Sequence, residues 1–167
     1  MKKLNTRQIA LNGIVAGLYA AITVVSGSAA FGPVQVRVSE ALTMLILFEP
    51  NLTIGITLGC LISNMVSTVS PILDTVIGTS ATLLACLLTT RIKKPWLAPL
   101  PTILVNGIVI GTMLAWIETP NALLHGIVMF GANVAGGEAI AMYGVGIPLY
   151  YAMKKTNFIE KLLHPKH

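Results

Sequence analysis

Ten of the eleven Lys and Arg residues in this 167-residue chain fall in three clusters, and the stretches between the clusters carry almost no charge. The clusters are Lys2/Lys3/Arg7, Arg91/Lys93/Lys94 and Lys154/Lys155/Lys161/Lys166. Between them lie apolar runs long enough to cross a bilayer, which takes roughly 20 helical residues. Lys and Arg beside such runs mark the cytoplasmic face. The exception, Arg37, stands among uncharged residues and calls for an explanation of its own.

Composition agrees with a membrane protein. The chain is 54% hydrophobic and 10% charged, with a mean hydropathy of +0.80, whereas soluble domains carry about 25% charged residues. The net charge of +5 is accounted for by basic clusters at the inner face, with no stripe of basic and aromatic residues to engage nucleic acid. Cys60 and Cys86 sit inside apolar runs and read as small buried hydrophobes. The Lys-rich N-terminus leads into a run longer than a signal-peptide core, so a retained first span is expected.

The spacing of charges predicts an all-α membrane protein with six transmembrane helices, at about 9–30, 39–49, 51–69, 74–90, 97–117 and 122–153, forming a single integral domain over residues 1–167. With the N- and C-termini cytoplasmic, every basic cluster lands inside; a five-span layout would put the C-terminal lysines outside. Two segments depart from the template. Ser39–Phe48 would give only about 15 Å of α-helix, and Asn121–Met153 about 50 Å if wholly helical. The short one is read as helix 2, preceded by a non-helical loop (Phe31–Val38). The long one is read as helix 6 plus an outer segment, broken near Gly136-Gly137. Pro50 suits a first helical turn, and Pro71 the loop before helix 4. No internal repeat is visible.

Ionisable groups inside a membrane usually face a cavity or a partner. Counted from the cytoplasmic ends of their helices, Glu40 lies about 13 Å deep, Asn64 about 20 Å, Glu138 about 24 Å and Asp74 about 25 Å. Such a distribution suits a pocket open to the outside. Arg37 and Glu40 are close enough in sequence to pair as a loop-anchoring salt bridge, or to clamp a ligand together. Asn64, Ser67 and Thr68 share a helix face, as packing glue or as ligand contacts. Asp74 suits the N-terminus of helix 4 as a cap. Glu138, following two glycines in an apolar run, is the hardest to explain structurally. Trp116, near the outer boundary, reads as an interfacial anchor or as a stacking surface for a planar ligand. Helix 1 carries Gly13-x-x-x-Gly17, Ala16-x-x-x-Ala20 and Gly17-x-x-x-Ala21, patterns that let another helix approach closely, within this chain or from another subunit.

Some chemistry is missing from the sequence. It holds no phosphate-binding loop of the G-x-x-x-x-G-K-[ST] type. His125, His164 and His167 have no metal-ligand spacing, and no nucleophile is paired with a base, so neither a metal site nor an enzyme is expected.

Four segments, in order, resemble the QueT family of predicted queuosine-precursor transporters: Arg37-Val-Ser-Glu40-Ala-Leu, Gly59-Cys60-x-x-x-Asn64, Asp74-x-x-x-Gly78-Thr-Ser-Ala81-Thr82-Leu83, and Gly137-Glu138. The resemblance runs from Ile9 to Met153, with the outer stretch 121–133 unmatched. It implies a six-helix substrate-binding (S) component of an energy-coupling factor (ECF) importer in a prokaryotic-type plasma membrane. It further implies a 7-deazaguanine ligand, such as the aminomethyl precursor of queuine or queuine itself. Its partners would be a transmembrane coupling subunit and two ATPase subunits; ATP would be used by those partners, and no cofactor by this chain. Docking through helix 1 makes Gly13, Ala16, Gly17 and Ala20 candidates. The substrate-binding candidates are Arg37, Glu40, Asn64, Asp74, Glu138 and Trp116. A solitary proton-coupled or facilitative transporter, with Glu138 or Asp74 as relay, is the alternative; an assembly protein whose polar residues only join helices is a third reading.

Overall fold

Large apolar side chains cover much of the exterior while several charged and amide side chains are buried, unlike a soluble domain. Val25, Ile72 and Leu124 are each more than three-quarters exposed, whereas Arg37, Glu40, Asn64, Asp74, Asn106 and Glu138 are all buried. A continuous apolar exterior is stable only against lipid. The computed structural model describes residues 5–31, 35–67, 70–156, 159 and 161. Lys2, Lys3, Thr68, His164, Lys166, His167 and the middle of the loop before helix 2 (32–34), all considered above, lie outside the described residues.

Six helical stretches follow in order, with no strand among the described residues. Four are long and apolar enough to cross a membrane: α1 (Thr6–Ser26), α4 (Pro71–Thr89), α5 (Pro95–Glu118) and α6 (Pro120–Thr156). Two are shorter: α2 (Val38–Leu47) and α3 (Leu52–Asn64).

α1 starts three residues before the predicted Ile9, because Asn5 and Gln8 form a capping box. The Gln8 amide donates to Asn5 Oδ1 at 2.8 Å, and the Asn5 amide to Gln8 Oε1 at 3.0 Å, satisfying two N–H groups that a bare helix end leaves orphaned. The helix closes at Gly27, whose φ of 54° is open to glycine and costly for other residues.

α2 is wound as a 3₁₀ helix. At about 2.0 Å per residue, its ten residues reach about 20 Å, against about 15 Å for an α-helix. The tighter winding thus recovers part of the length that the sequence seemed to lack. Every residue from Ser39 to Ile46 is buried, since α2 touches α1, α3, α4 and α6 and forms the centre of the bundle.

Three expectations need correction. Pro71 is not in the loop before α4 but at its first helical position, where a missing N–H costs nothing. Asp74 therefore lies inside the helix rather than capping it, and opens a π-turn at Asp74–Gly78. The long segment is not broken at Gly136-Gly137: α6 is helical throughout, with a π-turn at Met142–Gly146. A glycine lowers helix propensity by about 1 kcal/mol, which packing on both sides readily overrides. Gly137 has another purpose. The backbone of Gln35 and Val36 lies directly on it, in space that a Cβ would fill.

Lipid tails are as apolar as leucine, so the helices associate by close van der Waals approach rather than by hydrophobic exclusion. Glycines set those distances. Gly55 packs on the backbone of Asn12, and Gly59 on Ala16 and Tyr19, drawing α3 onto α1. The Gly55 N–H also donates to Asn12 Oδ1 at 2.6 Å. Across the bundle Gly107 and Gly111 of α5 meet Gly131 and Ala135 of α6. Around these contacts Val15 and Tyr19 pack with Leu42, Leu45 and Ile56, while Ile110, Leu114, Phe130 and Val134 form a second core.

The small residues of α1 divide by face. Ala16 is buried against Gly59 and Ala20 is half-buried, whereas Gly13 and Gly17 are exposed with open space beside them. A Cβ on Gly59 would sit 2.7 Å from the Ala16 carbonyl oxygen, too near for ordinary contact. Gly59→Ala is accordingly expected to lower stability by about 1–3 kcal/mol, whereas Gly13→Ala, with open space and a gain in helix propensity, should leave it unchanged or raise it by up to about 1 kcal/mol, as read by thermal unfolding in detergent.

Candidate functional site

Glu40 enters the bundle one turn into α2, and its carboxylate is met from two sides. The Tyr19 hydroxyl of α1 donates to Oε1 at 2.5 Å, and the Thr82 hydroxyl of α4 to the same oxygen at 3.0 Å. Oε2 is buried without a partner. A second anchor of α2 lies one turn outward along α1, where the Thr23 and Ser39 hydroxyls share a hydrogen bond of 2.6 Å.

Arg37 does not turn back to Glu40, three residues on. Its Nη2 donates to Asn64 Oδ1 at 3.0 Å and its Nε to the Ala30 carbonyl at 3.3 Å, while the guanidinium carbon lies 5.1 Å from the centre of the Phe31 ring. The salt bridge considered from the spacing is thus replaced by a link from the incoming loop to α3. Nη1 also faces Cys60 Sγ at 3.9 Å; that thiol contacts Thr82 at 3.3 Å. Cys60 is buried, as expected, but among polar groups as well as apolar ones.

Asn64 is the last residue of α3 and spends its amide hydrogens on α4. Nδ2 donates to the Asp74 carbonyl at 2.9 Å and to the Thr79 hydroxyl at 3.2 Å. The π-turn places both acceptors within reach of one amide, and Gly78 leaves room for it, since a Cβ there would be 3.0 Å from Nδ2. The Asp74 carboxylate accepts from the Ser67 hydroxyl. Its visible work is therefore to tie α4 to the end of α3.

On the opposite side, Glu138 of α6 meets Asn106 of α5. Asn106 Nδ2 donates to Glu138 Oε1 at 2.9 Å. Both residues are at most 3% exposed, yet Glu138 Oε2 and Asn106 Oδ1 have no partner. Glu138 lies in the electrostatic field of Arg37 and Glu40, and the Gln35–Val36 backbone crosses α6 at the preceding residue, Gly137. The segment that delivers Arg37 thus packs on α6 beside Glu138.

Of the sequence candidates, Arg37, Asn64 and Asp74 form one bonded network, Glu40 joins it through Thr82 and Cys60, and Glu138 faces it from α6. Trp116 is not part of it. It is 63% exposed on α5, beside an apolar groove lined by Ile77, Ile108, Val109, Thr112 and Met113. That position suits the anchoring reading and leaves nothing interior for it to stack on. From the sequence, Thr82 is named only within a family-like segment, and Tyr19 and Asn106 are not singled out. Asn106 was the accessible one, as an amide in the middle of the uncharged run 97–117. No group of three metal-ligating side chains occurs among the described residues.

The arrangement offers three buried, unpartnered acceptor oxygens, on Glu40, Asn106 and Glu138. Leaving such an atom unmet costs about 1–3 kcal/mol, more when charged. These acceptors are therefore suited to a compact guest rich in N–H groups.

A profile of the family described as QueT transporter matches residues 9–155. A curated relative, "Queuosine precursor transporter QueT" of Lactococcus lactis subsp. cremoris, is 38% identical over 102 residues; the match covers 58% of this chain and 59% of the relative. No solved structure matches the chain. A transporter-family match over these apolar helices makes this a multi-pass protein of the plasma membrane.

Replacing Tyr19 by Phe keeps the ring and removes one of the two donors to Glu40. Tyr19→Phe is expected to lower stability by about 1.5–3 kcal/mol, the range for a hydrogen bond to a charged group. Thermal unfolding in detergent measures it, with the exposed Tyr151→Phe as a control expected to change little.

Proposed function

The chain belongs to the QueT transporter family, and from that membership we propose that it captures a queuosine precursor from outside the cell. The ligand class is a 7-deazaguanine, such as the 7-aminomethyl compound or queuine. The chain acts as the S component of an ECF-type importer, whose coupling subunit and two ATPase subunits supply the energy.

The observation that carries this reading is the set of free acceptors on Glu40, Asn106 and Glu138. A deazaguanine offers N1–H and a 2-amino group as adjacent donors, which carboxylate and amide oxygens accept. The aminomethyl group adds a cation that calls for a second acid. Three buried carboxylates, Glu40, Asp74 and Glu138, outnumber the buried guanidinium of Arg37, so the interior favours a cationic guest over an anionic one. The ring oxygen needs a donor. Asn64 has committed both amide hydrogens, whereas Arg37 has five N–H groups and three contacts; Arg37 is the better candidate.

The open flank of α1 supports the partner assignment. Gly13 and Gly17 are exposed with no neighbour against them among the described residues, and small residues on a lipid-facing helix are suited to another helix. A solitary carrier has no need of such a flank.

Two measurements test the proposal. Purified protein should bind 7-aminomethyl-7-deazaguanine, and Glu138→Gln should weaken binding by about 10- to 100-fold, the equivalent of one charged hydrogen bond. Failure of the wild type to bind overturns the ligand assignment. In cells, Gly13→Leu with Gly17→Leu should leave binding intact and abolish uptake. Uptake by vesicles lacking ATPase subunits, driven by a pH gradient, would instead establish a solitary transporter.

A further inference from the structure

Asn106 is more than a support for Glu138. To orient that carboxylate it needs only its amide nitrogen, which donates to Oε1 at 2.9 Å. The other end of the amide, Oδ1, is buried and unpartnered, on a residue 3% exposed. That contact turns the nitrogen end of the amide to Glu138 and leaves the oxygen end over. An amide oxygen only accepts, and the group it lacks must therefore be a donor.

The two leftover atoms belong to side chains joined by one contact. Glu138 Oε2 and Asn106 Oδ1 lie on facing helices, locked together by one hydrogen bond and held close where Gly107, next to Asn106, packs on Gly131 and Ala135. One carboxylate with an oxygen already engaged leaves a single wholly free acceptor. The donor edge of a guanine-type ring carries three N–H bonds: one at N1 and two on the 2-amino group. We propose that Asn106 Oδ1 supplies the additional acceptor and reads the 2-amino group, making Asn106 a specificity-determining residue for 2-amino ligands. The assignment rests on the deazaguanine reading above and adds a discriminating contact to it.

A ligand with hydrogen in place of the amino group leaves Oδ1 unmet inside the complex, and sites that hydrogen-bond their substrate reject the analogue lacking that group. The experiment compares 7-aminomethyl-7-deazaguanine with its 2-deamino counterpart by titration calorimetry on the full chain in detergent. The wild type should prefer the 2-amino compound by about tenfold or more. In Asn106→Leu, similar in size but without the oxygen, the preference should fall to near unity. Both compounds weaken together where Glu138 loses its donor, so the ratio is the readout. Asn106→Ala repeats the measurement with a smaller side chain, and binding of the deamino compound certifies that each variant is folded.

A preference that survives in either variant overturns the assignment, as does loss of both compounds from both variants while the wild type binds. Equal affinity of the wild type for the two compounds overturns it while leaving the deazaguanine reading intact. Binding of neither compound to the wild type removes that reading and, with it, the role of Asn106.

Discussion

A carboxylate at the centre of a membrane bundle is tolerable only where other helices bring donors to it. Glu40 imposes that condition on the whole molecule. Its helix is buried from Ser39 to Ile46, and one oxygen is held by Tyr19 from α1 and Thr82 from α4. Three helices must therefore meet at one height. Arg37, three residues earlier, extends the constraint to α3 through Asn64, and Asn64 extends it to the π-turn of α4. The polar interior forms a chain of dependencies in which each residue fixes the depth of the next.

Such a chain needs helices close enough for short side chains to touch. Without hydrophobic exclusion between them, closeness comes from missing side-chain atoms. Gly55 and Gly59 place α3 on α1, and Gly107 and Gly111 place α5 on α6. The first pairing brings Tyr19 and Cys60 into one cluster; the second brings Asn106 to Glu138. Small residues thus determine where the acceptor oxygens sit.

The sequence was most legible where lipid dictates the answer. Basic clusters and uncharged runs located the six helical segments, and an ionisable group in an apolar run located Glu40, Arg37 and Glu138. Ends and windings were less legible. The capping box of Asn5 and Gln8 was readable but overlooked. The 3₁₀ winding of α2 was not, because it answers to burial on all sides rather than to local propensity. Propensity alone marks Gly136-Gly137 as a break; its second glycine accommodates the crossing backbone of Gln35 and Val36, remote in sequence, an approach only the tertiary fold reveals. Asn106 met the same criterion as Asn64 and could have been found by it. Tyr19 could not, since its significance depends on a carboxylate from another helix.

Both π-turns lie in helices that carry buried polar side chains, and they have a consequence for how this chain tolerates change. Each π-turn carries a surplus residue relative to a uniform spiral. In α6 the surplus lies between Glu138, which looks into the interior, and Tyr150 with Lys154, which belong to the cytoplasmic end. Excising a single codon from 142–146 would remove that surplus and restore a uniform spiral with the flanking faces nearly in place, whereas excising one from the regular turns at 149–153 would swing everything beyond it by about 100°. In that second case the lysines would point in a different compass direction, although no charged or interior side chain had been altered. Where a residue is lost, more than which one it is, decides whether the two ends of the helix stay aimed at their separate tasks.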